Sequence, residues 1–250
     1  MNFLKKIVKK FLLKFNLNLN LLREDIHRND RHGSLHKLWG YIFSNHFRGD
    51  YVEFGVYKGD SFVSSILTYN KFYDWLKAQK NSDEEWRKSV AENSPLNEKP
   101  AFHCLDTFDG MPENNESFFQ FQKGNFLGNL ELVKKNINNA NKHKLDIKYY
   151  KGLFSDTASQ LNINLKGKRI AIANIDCDLE SSTIDALEAI KDHINIGTVL
   201  MFDDYNCFNA DMKKGQRKAF EDFKKNSSYI FEKLFSYHYL GQTFLVVDKK

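Results

Sequence analysis

Three apolar runs in this chain stop at aspartate. Ala101 to Leu105 ends at Asp106, Arg169 to Ile175 ends at Asp176, and Thr198 to Phe202 ends at Asp203-Asp204. A fourth, Tyr51-Val52-Glu53-Phe54, ends at Gly55. Short apolar runs bounded by turn residues predict buried strands. Between them lie helix-spaced patterns: Phe62, Ile66, Leu67 and Phe72; Leu130 to Ala140; Thr183 to Ile194; Gly215 to Phe223. A further strand is expected at Ile147 to Lys151. Two more, near Phe231 to Tyr239 and Thr243 to Val247, are expected to form a hairpin joined by Leu240-Gly241-Gln242. Alternating strands and helices predict an α/β fold, a Rossmann-like doubly wound sheet, mostly parallel, with an antiparallel C-terminal edge. In such sheets ligands bind beyond the carboxyl ends of the strands, where these aspartates fall.

The 250 residues suit one α/β domain with additions. Twenty-two Phe and eleven Tyr require burial and exclude a disordered chain. A net charge of +5 is compatible with an anionic small molecule and is too weak and dispersed to argue for nucleic acid. Cys104, Cys177 and Cys207 form no CxxC pair and read as reduced thiols of a cytoplasmic protein. No apolar run reaches the roughly 18 residues of a membrane span. Residues 1–15 alternate apolar positions (Phe3, Leu4, Ile7, Val8, Phe11, Leu12, Phe15) with lysines at helical spacing. Such a helix packs on its own domain or a partner subunit, or lies peripherally on an anionic membrane. A second helix face is expected from Leu35, Leu38, Trp39, Ile42 and Phe43. Residues 78–100 are polar and read as a surface excursion, and residues 107–130, rich in Gly, Asn and Phe, read as a lid.

Four motifs carry the chemistry. In Glu53-Phe54-Gly55-Val56-Tyr57-Lys58-Gly59-Asp60-Ser61 the two glycines permit a tight turn and close approach of a ligand. The turn lacks the full phosphate-binding pattern, so it suits a donor without a pyrophosphate, such as S-adenosylmethionine, with Glu53 holding its ammonium group. Asp106, ending the second strand, is placed to accept hydrogen bonds from ribose hydroxyls. Asp176, Asp203 and Asp204 at neighbouring strand ends repel one another unless a hard divalent cation such as Mg²⁺ neutralises them. That cation would orient and acidify a substrate hydroxyl, and Asp178, two residues on, would take the proton. The competing reading makes these carboxylates helix caps. The histidines read as no rival metal site: His27, His32, His36 and His46 lack a matching acidic cluster, His103 precedes a strand end, and His143, His193 and His238 read as structural or exposed.

Together these segments, with Lys151-Gly152-Leu153-Phe154-Ser155-Asp156-Thr157, resemble the macrocin-type sugar O-methyltransferases over residues 50–205. The resemblance implies a Mg²⁺-dependent methyltransferase; the chain divides into a methyltransferase domain over residues 49–250 and an N-terminal helical segment of residues 1–48, whose basic start is not part of the shared pattern. It implies cofactor contacts at Glu53, Gly55, Tyr57, Ser61, Asp106, Thr107 and Phe108, with Ser155 and Asp156 near the adenine. It implies metal ligands at Asp176, Asp203 and Asp204, a homo-oligomer, and a sugar or nucleotide-sugar acceptor for a surface glycan or natural product. Members use either the acid matching Asp178 or a mid-chain His as base. Residues 107–130 contain no His, which favours Asp178. Catechol-type relatives carry Lys three residues after the first metal Asp, where this chain has Leu179.

Three alternatives remain at this stage. Asp176-Cys177-Asp178 and Asp203-Asp204 also fit a haloacid-dehalogenase-like phosphatase, which would leave the Glu53 to Ser61 turn without a role. The same triplet fits a DxD glycosyltransferase. The basic N-terminus fits a non-catalytic, membrane-docked binding protein.

Overall fold

The computed structural model describes residues 23–250 apart from residue 117. The chain opens with helix α1 (Arg23–Ser44) and strand β1 (Asp50–Phe54), followed by α2 (Asp60–Gln79) and α3 (Glu85–Glu92). Then come β2 (Ala101–Asp106), α4 (Leu130–Ala140), β3 (Asp146–Lys151), α5 (Phe154–Leu165) and β4 (Ile170–Ile175). It ends with α6 (Glu180–Ile190), β5 (Val199–Phe202), α7 (Gly215–Asn226), β6 (Tyr229–Tyr237) and β7 (Gly241–Lys249). The seven strands form one sheet in the order β3-β2-β1-β4-β5-β7-β6. The first five are mutually parallel, while β7 runs antiparallel to both β5 and β6. Chain order reverses between β1 and β4, which makes their carboxyl ends the switch point where such sheets bind ligands.

Strand alternation splits the core in two. Tyr51, Phe102, Cys104, Ile172, Val199 and Met201 face the layer that includes α1 and α2. Val52, Phe54, Leu105, Ala173, Leu200 and Phe202 face the layer of α5, α6 and α7. Both faces are covered, so the central strands are buried at nearly every position and carry few polar side chains. Helix α1 belongs to the first layer: Leu35, Leu38, Trp39, Ile42 and Phe43 are all buried. The Trp39 ring lies 5.6 Å from Phe102, and its indole N–H donates to Ser65 Oγ at 2.8 Å. Truncating such a ring costs about 3–5 kcal/mol.

The excursion is partly helical, and α3 and the turn Pro95–Asn97 bury Ala91 and Leu96 against the first layer. Helix α5 is an element that the apolar pattern alone does not predict. Its polar sequence conceals buried positions Phe154, Thr157, Leu161 and Leu165. The hairpin connection is 238–240, with Gly241 and Gln242 already inside β7. The three cysteines are buried free thiols. Among the described residues no helix is long and apolar enough to cross a membrane. The amphipathic pattern of residues 1–15 lies outside the described residues.

Candidate active site

The turn after β1 is built by close approach. Gly55 has φ +87°, and a Cβ placed there would sit 1.8 Å from the Asp176 carbonyl oxygen. The Asp176 N–H donates to the Phe54 carbonyl at 2.8 Å, and the Gly55 N–H donates to Leu105 at 2.9 Å. Asp106 completes the joint. Its carboxylate accepts the N–H groups of Val56 and Tyr57, both at 2.7 Å, and of Phe108 at 2.6 Å. A carboxylate offers about four acceptor positions. Asp106 therefore spends three on shaping the ends of β1 and β2 and keeps capacity for one more bond. Tyr57, Phe108 and Asp178, following β1, β2 and β4, all have positive φ, a strained conformation that clusters at functional sites.

Glu53 lies beneath this turn and does not line the cleft. Fully buried, it accepts hydrogen bonds from Tyr51 Oη and, at 2.6 Å, from Ser61 Oγ. Burial raises its pKa to about 6 despite these donors. Any influence on a ligand runs through Ser61, which does face the cleft.

Beyond β4 and β5 the acidic residues converge. One carboxylate oxygen from each of Asp176, Asp203 and Asp204 lies within 4.8 Å of the others. Gln216, at the start of α7, supports the group: its Oε1 accepts the Asp204 N–H at 2.9 Å and its Nε2 donates to the Ile175 carbonyl at 3.1 Å. Sequence reasoning missed Gln216, whose only signal was its place at the start of a predicted helix. Asp204 Oδ2 is buried without a hydrogen-bond partner. A buried unpaired carboxylate oxygen is costly, and an all-oxygen donor set with one oxygen to spare fits a hard divalent cation.

Helix α1 delivers the Arg31 guanidinium and the His27 ring to this cluster, and here the histidine reading is corrected. Arg31 Nη1 lies 3.0 Å from Asp176 Oδ2, and its Nη2 contacts Asp203 Oδ2. His27 Nε2 is 3.2 Å from Asp203 Oδ2, and His238 Nε2 is 3.0 Å from Asp203 Oδ1. The two imidazole rings sit 4.1 Å apart, brought together from residues far separated in sequence. His103 is likewise a buried residue within β2, bonded to Asp50 and Tyr150. Burial opposes ionisation of Asp203, but the Arg31 charge and the histidine hydrogen bonds outweigh it and hold its carboxyl well below the usual range. Burial lifts Asp176 and Asp204 well above it, reinforced by the neighbouring carboxylates. Asp178 is raised to about 7 by burial and by Asp176.

All of this opens onto one cleft of about 1200 Å³. Gly55, Tyr57, Ser61, Asp106, Thr107, Asp176, Asp178, Asp203 and Asp204 line it. Phe108 is buried behind it. Ser155 and Asp156 do not line it either: they are exposed on the first turn of α5, and Leu153 and Phe154 take that wall instead. The segment 107–130 covers one side. Met111 and Phe121 pack on Leu179 and Cys207, and Glu116 accepts the Glu180 N–H at the start of α6. Single-ligand pockets measure about 300–1,000 Å³. This cleft has room for a donor and an acceptor together.

The architecture has known counterparts. The O-methyltransferase NovP is similar in structure, with a TM-score of 0.64 and 17% identity over 87% of this chain and 80% of that one. CalS11, a calicheamicin methyltransferase, gives a TM-score of 0.64 and 18% identity over 94% of this chain and 85% of its own. The apo form of CalS11, described as a TDP-rhamnose 3′-O-methyltransferase, gives 0.54 at 16% identity, covering 94% and 86%. No curated protein sequence matches the chain. The macrocin-O-methyltransferase (TylF) family model matches residues 90–242, a span that holds Asp106, Asp176, Asp178, Asp203, Asp204 and Gln216. With well over half of its length matched and the seven-stranded sheet in place, this chain belongs to the macrocin-O-methyltransferase family of O-methyltransferases.

Proposed function

We propose that the protein transfers a methyl group from S-adenosylmethionine to a hydroxyl of a nucleotide-linked sugar, with Mg²⁺ held by Asp176, Asp203 and Asp204 and with Asp178 as the base. The observation that carries this reading is convergence: the glycine turn, Asp106 and the acidic cluster share one cleft at the switch point of the sheet. S-adenosylmethionine supplies an electrophilic methyl on sulfonium. The bound Mg²⁺ would polarise the acceptor hydroxyl and fix its direction. The Gly55 backbone lets the donor approach, Ser61 and the remaining acceptor capacity of Asp106 orient it, and Leu153 with Phe154 offers an apolar wall.

Asp178 lines the cleft two residues after Asp176, which sets a carboxylate beside the proposed metal and acceptor hydroxyl as the group to take the proton. The preference for an anionic acceptor rests on α1, where Arg28 and His32 line the mouth beside Arg31. Membership of the family weighs against the phosphatase, the glycosyltransferase and the non-catalytic readings.

The test is a screen of nucleotide-linked sugars with methyl-labelled S-adenosylmethionine, run with Mg²⁺ and with chelator. Mg²⁺-dependent label on the sugar is the expected result. Equal transfer in chelator would remove the metal from the mechanism. Transfer to free sugars alone would remove the nucleotide from the acceptor.

A further inference from the structure

We infer that Arg31 is a resident cation that must leave the Asp176–Asp203 pair before a divalent metal can enter, so that metal binding in this protein is an exchange of cations. The inference rests on the metal reading of the acidic cluster. The guanidinium engages Asp176 Oδ2 at 3.0 Å and also Asp203 Oδ2, two of the carboxylates a metal would use. The Arg31 side chain is only 17% exposed and that of Asp203 only 4%, so solvent screens their interaction poorly. Arginine stays ionised in such a setting. A guanidinium and a dication cannot share the same oxygens at these distances without strong repulsion.

The surroundings allow the exchange. The α1 backbone is fixed one turn further on, where Leu35, Leu38 and Trp39 enter the core, while the Arg31 side chain borders the open cleft. Arg31 Nη2 also lies 3.2 Å from His27 Nε2, whereas its Nε is buried without a hydrogen-bond partner, so every contact that holds the guanidinium is made by its two terminal nitrogens. Asp203 would keep its orientation when Arg31 departs. His238 Nδ1 accepts the Leu240 N–H at 3.1 Å, so its Nε2 carries the proton and donates to Asp203 Oδ1 at 3.0 Å. His238 is therefore a positioning residue for Asp203, and its nitrogen is not offered to a metal. In the metal-free protein Arg31 offsets the repulsion among buried carboxylates, and a dication takes over that task.

The experiment is calorimetric titration of Mn²⁺, as a probe for Mg²⁺, into metal-free wild type, Arg31→Ala and Arg31→Gln, with thermal unfolding in chelator and in saturating Mg²⁺. Removing the competitor should tighten Mn²⁺ binding at least about tenfold, equivalent to about 1.4 kcal/mol. The metal-free variants should melt below wild type and gain more from Mg²⁺ than wild type does. Arg31→Gln keeps bulk and hydrogen bonds without charge, so it carries the prediction if Arg31→Ala does not fold. Equal or weaker Mn²⁺ affinity in the variants would overturn the exchange while leaving the metal site standing. Absence of Mn²⁺ binding in all three proteins would overturn the metal reading and the exchange with it.

Discussion

Three glycine-to-alanine substitutions separate the physical demands on the site. Gly33 lies inside α1 with nothing within 4 Å of an added Cβ, so Gly33→Ala should stabilise by about 0.5–1 kcal/mol. Gly167 has φ +73° and equally open space, so Gly167→Ala isolates the cost of a left-handed backbone, about 1–2 kcal/mol. Gly55 adds to the same strain a Cβ only 1.8 Å from the Asp176 carbonyl oxygen, where contacts under 3.0 Å are essentially never seen. The turn must shift by more than about 1 Å, which breaks the Asp176 N–H bond to Phe54 and draws the Val56 and Tyr57 amides away from Asp106. Overpacking and lost hydrogen bonds together should bring Gly55→Ala to about 3–5 kcal/mol. For a domain of this length that is a Tm decrease of about 10 °C. Urea unfolding gives the free energies, and an unchanged m value certifies the comparison. Calorimetry with S-adenosylhomocysteine should show donor-site binding lost in Gly55→Ala and retained in the other two. If Gly55→Ala costs no more than Gly167→Ala, the close approach of β1 to β4 is not what forms the site.

Asp178→Asn should lower turnover by about 10² to 10⁴ while leaving S-adenosylhomocysteine affinity unchanged; undiminished turnover would assign the base to another group. Asp203→Asn should abolish Mg²⁺-dependent turnover with donor affinity intact, and loss of donor binding as well would show that Asp203 serves the fold before the chemistry. Glu53 holds its proton up to about pH 6 when folded, against 4.5 ordinarily, so the folded state binds the extra proton between those values. Stability should therefore fall as pH rises through that window, by about 2 kcal/mol for a shift of about 1.5 units. Glu53→Gln should flatten this slope in unfolding curves taken across pH 4.5 to 6, and an unaltered slope would assign the pH dependence to other groups.

Much of the fold is written in local patterns. The central parallel strands β1, β2, β4 and β5 are mostly apolar runs that end in turn residues, and the aspartates ending β2, β4 and β5 are visible because charge interrupts hydrophobicity there, whereas the edge strand β3 is mixed and half-exposed. Helix α5 is concealed because Asn162 and Asn164 break the apparent face, although Phe154, Ala158, Leu161 and Leu165 keep its spacing. At the site, residues read from a strand end do reach the cleft: Asp106, Asp176, Asp203 and Asp204 all line it. Ser155 and Asp156 rest on a motif and not on a position along a helix face, and the first turn of α5 directs them outward. His27, Arg31 and His238 are illegible for a different reason. Their meeting with Asp203 depends on how α1 and the turn between β6 and β7 cross the rim of the sheet, which no local spacing encodes.

The electrostatics make α1 part of the candidate site, although the family match begins only at residue 90. Four carboxylates near the ends of β4 and β5 repel one another and resist burial, which is why Asp176, Asp178 and Asp204 all have raised pKa values. A fold can tolerate that arrangement only with positive charge in reach. Arg31 provides it from a helix that Leu35, Leu38, Trp39, Ile42 and Phe43 fasten to the same core as β1. Hydrophobic packing thus sets where the guanidinium stands, and the guanidinium sets which carboxylate is ionised: Asp203 is low because Arg31 and His238 face it. Packing far from the chemistry and charge at its centre are in this way one structural property, carried by α1 from the polar contacts of His27 and Arg31 to the core residues Leu35 to Phe43.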